Sequence, residues 1–183
     1  MNSFDETIHL DDGSQRSLMN LIRVRPWRIL TPCIQVAGMH ITSPSLSIER
    51  GPQAYSAISC AWFESPHTFK DYWRLSITET ASPAGIEVRS DGALVSPCTI
   101  SLFGATPISS IEIYNSRWDW SGGEAEERVE WDSAILFHLQ DRRRFCVWCQ
   151  VDGLGIATEV SFTESQELIT GALIGAALRI RIE

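Results

Sequence analysis

The stretch from residue 133 to residue 151 constrains the fold of this chain most, because it is the longest apolar pattern broken by only one turn. It reads SAILFHLQ, then the polar DRRR, then FCVWCQV. Two apolar segments of strand length around a short polar turn predict a β-hairpin. A turn of two or four residues around positions 141–144 sets three cross-strand pairs, which are Ile135 with Trp148, Leu136 with Val147, and Phe137 with Cys146.

Both faces of this predicted hairpin are apolar, since directly opposed residues share a face and each pair joins two apolar side chains. A half-exposed strand alternates apolar and polar residues instead. We therefore predict a hairpin that is buried on both sides and belongs to the structural core. By itself, such a hairpin identifies no activity.

Turn signals rich in Gly, Pro and Ser recur roughly every 8 to 15 residues between residue 27 and residue 114. Several segments between them alternate in polarity with a period of two, as YWRLSITE at 72–79 does. Short strands at such spacing are typical of all-β sandwiches and barrels. The sequence therefore predicts a mainly β fold, an antiparallel β-sandwich or barrel-like structure of about 9 to 10 strands.

Two stretches depart from this pattern and favour helices. Thr163-Glu-Ser-Gln166 has the spacing of a capping box, and apolar residues follow at helical spacing from Leu168 to Leu173. Ser14 could cap a second helix, which Pro26 would end. The predicted fold therefore has one short C-terminal helix and, as an option, a short N-terminal helix.

The chain has 183 residues, which is enough for one well-buried core. Residues 1–13 are acidic and end in the turn signal Asp12-Gly13, so we predict a flexible acidic tail there and a single β-rich domain over residues 14–183. The N-terminus lacks the basic and apolar regions of a secretory signal, and the apolar run 168–178 is shorter than the ~20 residues that span a bilayer. These features predict a cytoplasmic protein with no membrane partner.

The net charge of −8 is concentrated in two segments. Residues 1–15 contain four acidic residues and no Lys or Arg, and residues 118–132 contain six acidic residues and one Arg. The rest of the chain therefore has a net charge of +1. Because acidic proteins repel nucleic acid phosphates and anionic membrane surfaces, we expect neither as a partner.

The five cysteines are spread over predicted strands, and we expect free thiols. Cys146 and Cys149 have the CxxC spacing of redox and zinc motifs, but residues three apart on a strand point to opposite faces. We therefore interpret them as buried structural thiols, with His138 nearby as a hydrogen-bonded core histidine. The sequence contains no nucleophile elbow, HExxH, P-loop or dinucleotide fingerprint. It predicts no catalytic residue, no metal site and no cofactor.

The segment 118–132, WDWSGGEAEERVEWD, breaks the strand pattern with tryptophans near both ends, a Gly122-Gly123 hinge and many acidic residues. We predict a protruding loop or irregular hairpin that joins the preceding strand to the central hairpin. Tryptophan anchors and complementary charge are features of binding hot spots. The candidate partner-binding residues are the tryptophans Trp118, Trp120 and Trp131 and the acidic residues Asp119, Glu124, Glu126, Glu127 and Glu130.

These observations favour a non-catalytic acidic protein-binding domain over an enzyme. An inhibitor or immunity-type protein that neutralises a basic toxin or nuclease has this character, and its partner would be a basic protein. One alternative is a β-sandwich that binds a carbohydrate or another small ligand through exposed tryptophans. A second alternative is an enzyme with an unrecognised carboxylate site, and the segment 118–132 could also be a solvated acidic loop without a binding role.

Overall fold

The computed structural model describes residues 2–67, 71–102, 104–122, 125–150 and 159–183. These residues form thirteen strands and two helices. In chain order the elements are β1 (Asn2–Ile8), α1 (Asp12–Met19), β2 (Arg28–Thr31), β3 (Gln35–Ala37), β4 (His40–Ser43), β5 (Ser45–Gly51), β6 (Ala54–Glu64), β7 (Asp71–Thr80), β8 (Cys98–Ser101), β9 (Ile108–Gly122), β10 (Ala125–Leu139), β11 (Arg144–Gln150), β12 (Glu159–Thr163), α2 (Gln166–Ala172) and β13 (Ala177–Ile182).

The strands form two sheets. The first has the order β13-β9-β10-β11-β12-β4-β3, with β1 added to β10, and the second has the order β7-β6-β5-β2-β8. Neighbouring strands are antiparallel, except that β1 runs parallel to β10. The predicted mainly β, sandwich-like fold with a short C-terminal helix is confirmed. The strand count exceeds the prediction partly because Pro32, the turn at Gly38-Met39 and Pro44 divide residues 28–51 into four short strands.

The main core lies between the two sheets, where large aliphatic and aromatic side chains from both are fully or almost fully buried. At its centre the rings of Phe137 and Phe145 are stacked with their centroids 4.5 Å apart. The first sheet contributes Ile111, Ile113, Ile135, Phe137, Phe145, Val147, Val160 and Phe162, and the second contributes Ile29, Leu46, Ile48, Ile58, Leu75, Ile77 and Ile100.

The central hairpin, β10 with β11, is buried on both sides as predicted. One face packs in the main core, and the other packs against Ile169 of α2. The predicted register is wrong by one residue: Leu136 lies opposite Cys146, and Ala134 lies opposite Trp148. The reason is the turn, in which residues 140–142 form a three-residue loop with Arg142 in the left-handed conformation at φ 70°.

Residues 2–8, which lie within the predicted tail over 1–13, form β1 and pair with β10. Phe4 and Ile8 lie on the same face of the strand. Ile8 is buried, and the ring of Phe4 stacks on His67 at a centroid distance of 4.1 Å. Beyond the strand, the backbone N–H of Leu10 donates to Asp132 Oδ2 at 2.6 Å. Although residues 2–8 are acidic, their alternating apolar residues allow them to form a strand with one face against the protein.

Both predicted helices are present, but each begins at a different cap. The side chain of Asp11 accepts from the N–H of Ser14 at the start of α1, while Ser14 itself donates through its hydroxyl to the carbonyl of Ile77 at 3.1 Å. Ser165 caps α2, because the hydroxyl of Thr163 donates instead to the carbonyl of Met39. Neither helix in the described ranges has the length and apolar character needed to cross a membrane.

Candidate functional site

The segment 118–132 is part of a long regular hairpin, so the prediction of a loop or irregular hairpin is wrong for its described residues. Strands β9 and β10 pair continuously here, with Trp118 opposite Val129 and Asp119 opposite Arg128. We call Ser116–Gly122, Ala125–Asp132 and the β1 strand beside them the hairpin arm. Residues 126–129 of β10 alternate between exposed and buried, which is the pattern of a half-buried strand.

The inner face of the arm packs against β7 and contains Glu127, which is only 2% exposed. Its Oε1 accepts from the hydroxyl of Ser65, and its Oε2 accepts from the hydroxyl of Tyr72 at 2.9 Å. Burial and this hydrogen bond raise the pKa of Tyr72, so the phenol stays protonated. Glu127 therefore anchors the arm to the second sheet and lies inside the molecule, away from any partner-binding surface.

The three predicted tryptophans have different surroundings. Trp131 is half-buried on the inner face, where its ring lies 6.2 Å from the ring of Tyr72. Trp118 is 56% exposed. The backbone of Trp120 belongs to β9, while its side chain and all of Glu124 lie outside the described residues. Of the two candidate tryptophans whose side chains are described, Trp118 is the one with a largely exposed surface.

Two arginines partly compensate the acidic residues on the solvent face of the arm. Asp119 lies between Arg117 and Arg128 at 2.9 and 3.1 Å, and hydrogen bonds from both lower its pKa. Arg128 is also 3.9 Å from Asp5 on β1. The remaining carboxylates on this face, Glu126 and Glu130, form no ion pair with any residue of the described ranges. The acidic character of this surface therefore rests chiefly on the last two residues.

The outer edge of the arm is open. Strand β13 pairs with β9 only over Ile111–Asn115, and no strand in the described part of the chain pairs with the outer side of Ser116–Gly122. Such an edge presents main-chain donors and acceptors to a second chain. Trp118 stands on this edge, with Arg117 and Asp119 next to it on the opposite face.

A second carboxylate cluster surrounds Glu112 on the side of the first sheet that faces α2. Tyr114 donates to its Oε2 at 2.9 Å, His138 Nε2 lies 3.0 Å from the same oxygen, and Arg181 is 2.9 Å from Oε1. Burial raises the pKa of Glu112, but these three groups together lower it below its ordinary value. A carboxylate held in its charged form this way is a poor general base, because a base works best with a pKa near the working pH.

The sequence gives no signal for the Glu112 cluster, because its members are far apart along the chain. Strand pairing places Leu136 and Arg181 on either side of Glu112, and this register brings His138 within reach. A sequence-based prediction would have needed the strand order and the register of β13. We interpret the cluster as a structural feature, in which polar contacts of Glu112 connect β9 to β10 and β13.

The CxxC cysteines point to opposite faces, as predicted. Cys146 faces α2 and Cys149 faces the main core. Burial raises the pKa of Cys146 to about 12, and contact with Cys60 together with burial raises the pKa of Cys149. All five cysteines are free thiols. Within the described residues, no three His, Cys, Asp or Glu side chains are grouped closely enough to hold a metal ion.

The arm is therefore the part of the described surface that joins an open strand edge, an exposed tryptophan and acidic residues without ion-pair partners. No protein-family model, curated protein sequence or solved structure matches this chain.

Proposed function

We propose that this chain is a non-catalytic protein-binding domain, an inhibitor or immunity-type protein that holds a basic toxin or nuclease against its hairpin arm. One observation carries the proposal: Trp118 is 56% exposed on a strand edge, Ser116–Gly122, that no described strand covers. The surface we assign to the partner is the open edge of β9, with Trp118 on one face of the arm and Asp119, Glu126 and Glu130 on the other. Glu127 and Trp131 support it from the inner face.

The open edge supplies two of the components that peptide and protein recognition use. An incoming strand can form main-chain hydrogen bonds with β9, which give affinity, while side chains on the edge select the partner. Tryptophan is the residue type most enriched at binding hot spots, because it buries a large rigid surface. Trp118 is the side chain in the described part of the arm that fits this role.

The charge of the arm favours a basic partner. Its solvent face carries four acidic residues, Asp5, Asp119, Glu126 and Glu130, against Arg117 and Arg128. The whole chain has a net charge of −8, so its long-range field attracts cationic proteins and repels anionic ones. Opposed charges at the rim of an interface accelerate association and suppress wrong partners.

The two alternatives stay as predictions with less support. A carbohydrate site would need two or three tryptophans around one cavity. The exposed tryptophans Trp27, Trp62 and Trp118 stand on or beside three different strands, β2, β6 and β9. A catalytic carboxylate commonly has a raised pKa in an accessible site. Glu112 has a lowered one, and although burial raises the pKa of Glu164, the charge of Arg143 opposes this rise.

The test reverses two charges on the solvent face of the arm and compares the result with a matched reversal elsewhere. The arm variant is Glu126→Lys with Glu130→Lys. The control variant is Glu87→Lys with Glu183→Lys, two exposed glutamates outside the arm. Wild type and both variants are immobilised, and proteins from the native host that bind the wild type and the control variant but not the arm variant are identified. Each is then purified and titrated by calorimetry.

We expect a basic protein whose affinity falls about 100-fold or more in the arm variant, because two attractive contacts become repulsive. Trp118→Ala is expected to weaken the same complex by about 30-fold or more. The control variant should bind like the wild type, and all variants should melt at similar temperatures. A partner that binds the arm variant and the wild type equally well would refute the assignment of this surface.

A further inference from the structure

A groove on the second sheet combines arginines with an exposed tryptophan. It has a volume of about 590 Å³ and lies between the segment that leads from α1 into β2 and the turn from β5 to β6. Its walls include Arg23, Arg25, Trp27, Arg50 and Pro52. Binding sites for small molecules commonly have volumes of about 300 to 1,000 Å³. We call these residues the arginine groove.

The charges in the arginine groove are positive and partly uncompensated. Glu49, which also lines it, is paired with Arg28 at 2.7 Å, and Arg50 is paired with Glu79 at 3.0 Å. The exposed side chains of Arg23 and Arg25 form no hydrogen bond or ion pair within the described ranges. Two guanidinium groups without a partner in a chain of net charge −8 mark a local site for an anion.

The backbone holds this segment in a fixed and unusual conformation. Arg23 is left-handed, at φ 71°, which few residues other than glycine adopt. Its N–H donates to the carbonyl of Ile108 at 2.9 Å, and the N–H of Ile108 donates to the carbonyl of Val24 at 2.8 Å. The carbonyl of Trp27 accepts from Leu102 at 3.1 Å. The backbone that carries the two arginines is therefore held in place by hydrogen bonds to neighbouring segments.

Trp27 supplies a flat surface next to the arginines. It is 57% exposed, and the guanidinium of Arg28 lies 4.6 Å from its ring centroid. The Arg28 guanidinium that lies against the indole donates a hydrogen bond to Glu49, which holds it in this position. A heteroaromatic ring stacks favourably on such a surface. Arg50 adds a further donor, since its Nε is buried and has no hydrogen-bond acceptor in the described part of the protein.

We propose that the arginine groove binds a small ligand that joins a phosphate to a heteroaromatic ring, which is the chemistry of a nucleoside phosphate. Arg23 and Arg25 hold the phosphate through charge-assisted hydrogen bonds, and Trp27 stacks on the base. Guanidinium groups suit phosphate oxygens because they donate in a planar fork. This site is separate from the hairpin arm, so it stands or falls independently of the proposed protein-binding function.

The test measures binding of adenosine 5′-monophosphate, inorganic phosphate and adenosine by calorimetry at low ionic strength. We expect the monophosphate to bind at least about tenfold more tightly than either fragment, because both halves of the ligand are recognised. Arg25→Gln and Arg23→Gly are each expected to weaken its binding by about tenfold or more. Trp27→Ala is expected to bring the affinity for the monophosphate close to that for inorganic phosphate.

The matched control is Arg142→Gly. Arg142 is also an exposed arginine with a left-handed backbone, at φ 70°, but it lies in the turn between β10 and β11. This variant should bind the monophosphate like the wild type, while Arg23→Gly should not. The proposal is overturned if the wild type does not bind the monophosphate at millimolar concentration, if Arg23→Gly with Arg25→Gln binds it unchanged, or if inorganic phosphate binds as tightly as the monophosphate.

Discussion

Two neighbouring glutamates of the arm are expected to respond oppositely to the same substitution. Glu126 is exposed and Glu127 is 2% exposed, although nothing but their order distinguishes them in the sequence. We predict that Glu127→Ala destabilises the protein strongly and that Glu126→Ala leaves its stability almost unchanged. The difference follows from the strict alternation of a half-buried strand.

The magnitude follows from the hydrogen bonds that Glu127 accepts from Ser65 and Tyr72. A hydrogen bond to a charged group contributes about 1.5–3 kcal/mol. Removing the carboxylate also removes its own desolvation cost, so we expect a net loss of about 2–4 kcal/mol in the free energy of unfolding. For Glu126→Ala we expect a change within about 0.5 kcal/mol, as is usual for exposed positions.

The measurement is urea unfolding of both variants, followed by tryptophan fluorescence, together with thermal melting. At about 2–4 °C per kcal/mol for a domain of this size, Glu127→Ala should lower the melting temperature by about 5–15 °C. Glu127→Gln, which keeps one acceptor oxygen and offers an amide N–H to the other hydroxyl oxygen, should lose less than Glu127→Ala. Equal unfolding midpoints for the two alanine variants would refute the placement of Glu127 inside the molecule.

Three further predictions concern the core and the buried charges. Phe145→Ala should cost about 3–5 kcal/mol of stability in urea unfolding, because it leaves a cavity beside Phe137. Arg179→Met should cost about 3–5 kcal/mol by the same measurement, because Arg179 is the bidentate partner, at 2.5 and 2.6 Å, of the fully buried Asp132. Since the pKa of Glu112 is lowered from 4.5, its contribution to stability is complete above pH 4.5 and is lost as the pH falls through the lower folded-state value. Unfolding midpoints between pH 7 and pH 3 should therefore fall more steeply for the wild type than for Glu112→Gln, and identical slopes would contradict this.

Properties that are set by the alternation of residues within a single strand were predictable from the sequence. The burial of the central hairpin is the best example. Its two apolar faces follow from the alternation within each strand, so its burial against the main core on one side and Ile169 on the other is confirmed. Its register depended on the conformation of Arg142 in the turn. A left-handed arginine has no sequence signal comparable to glycine, so the register prediction was wrong by one residue.

Features that depend on pairing between distant strands were not predictable. The acidic composition of residues 1–13 and 118–132 suggested a tail and a loop, yet residues 2–8 form β1 and the described residues of 118–132 lie in β9 and β10, with β10 packed against β7. The Glu112 cluster and the arginine groove each combine residues from separate strands or turns. The composition shows how many charged residues each segment contains, but the sheet order is needed to show which charged side chains lie next to each other.

The most direct test of the proposed function is amide hydrogen exchange of the chain with and without its partner. If the partner docks on the open edge of the arm, the amides of Ser116–Gly122 should gain protection in the complex, because an added chain covers them and binds to their main-chain groups. This segment should show the largest gain in protection of the whole chain. Strong protection elsewhere, with Ser116–Gly122 unchanged, would contradict it.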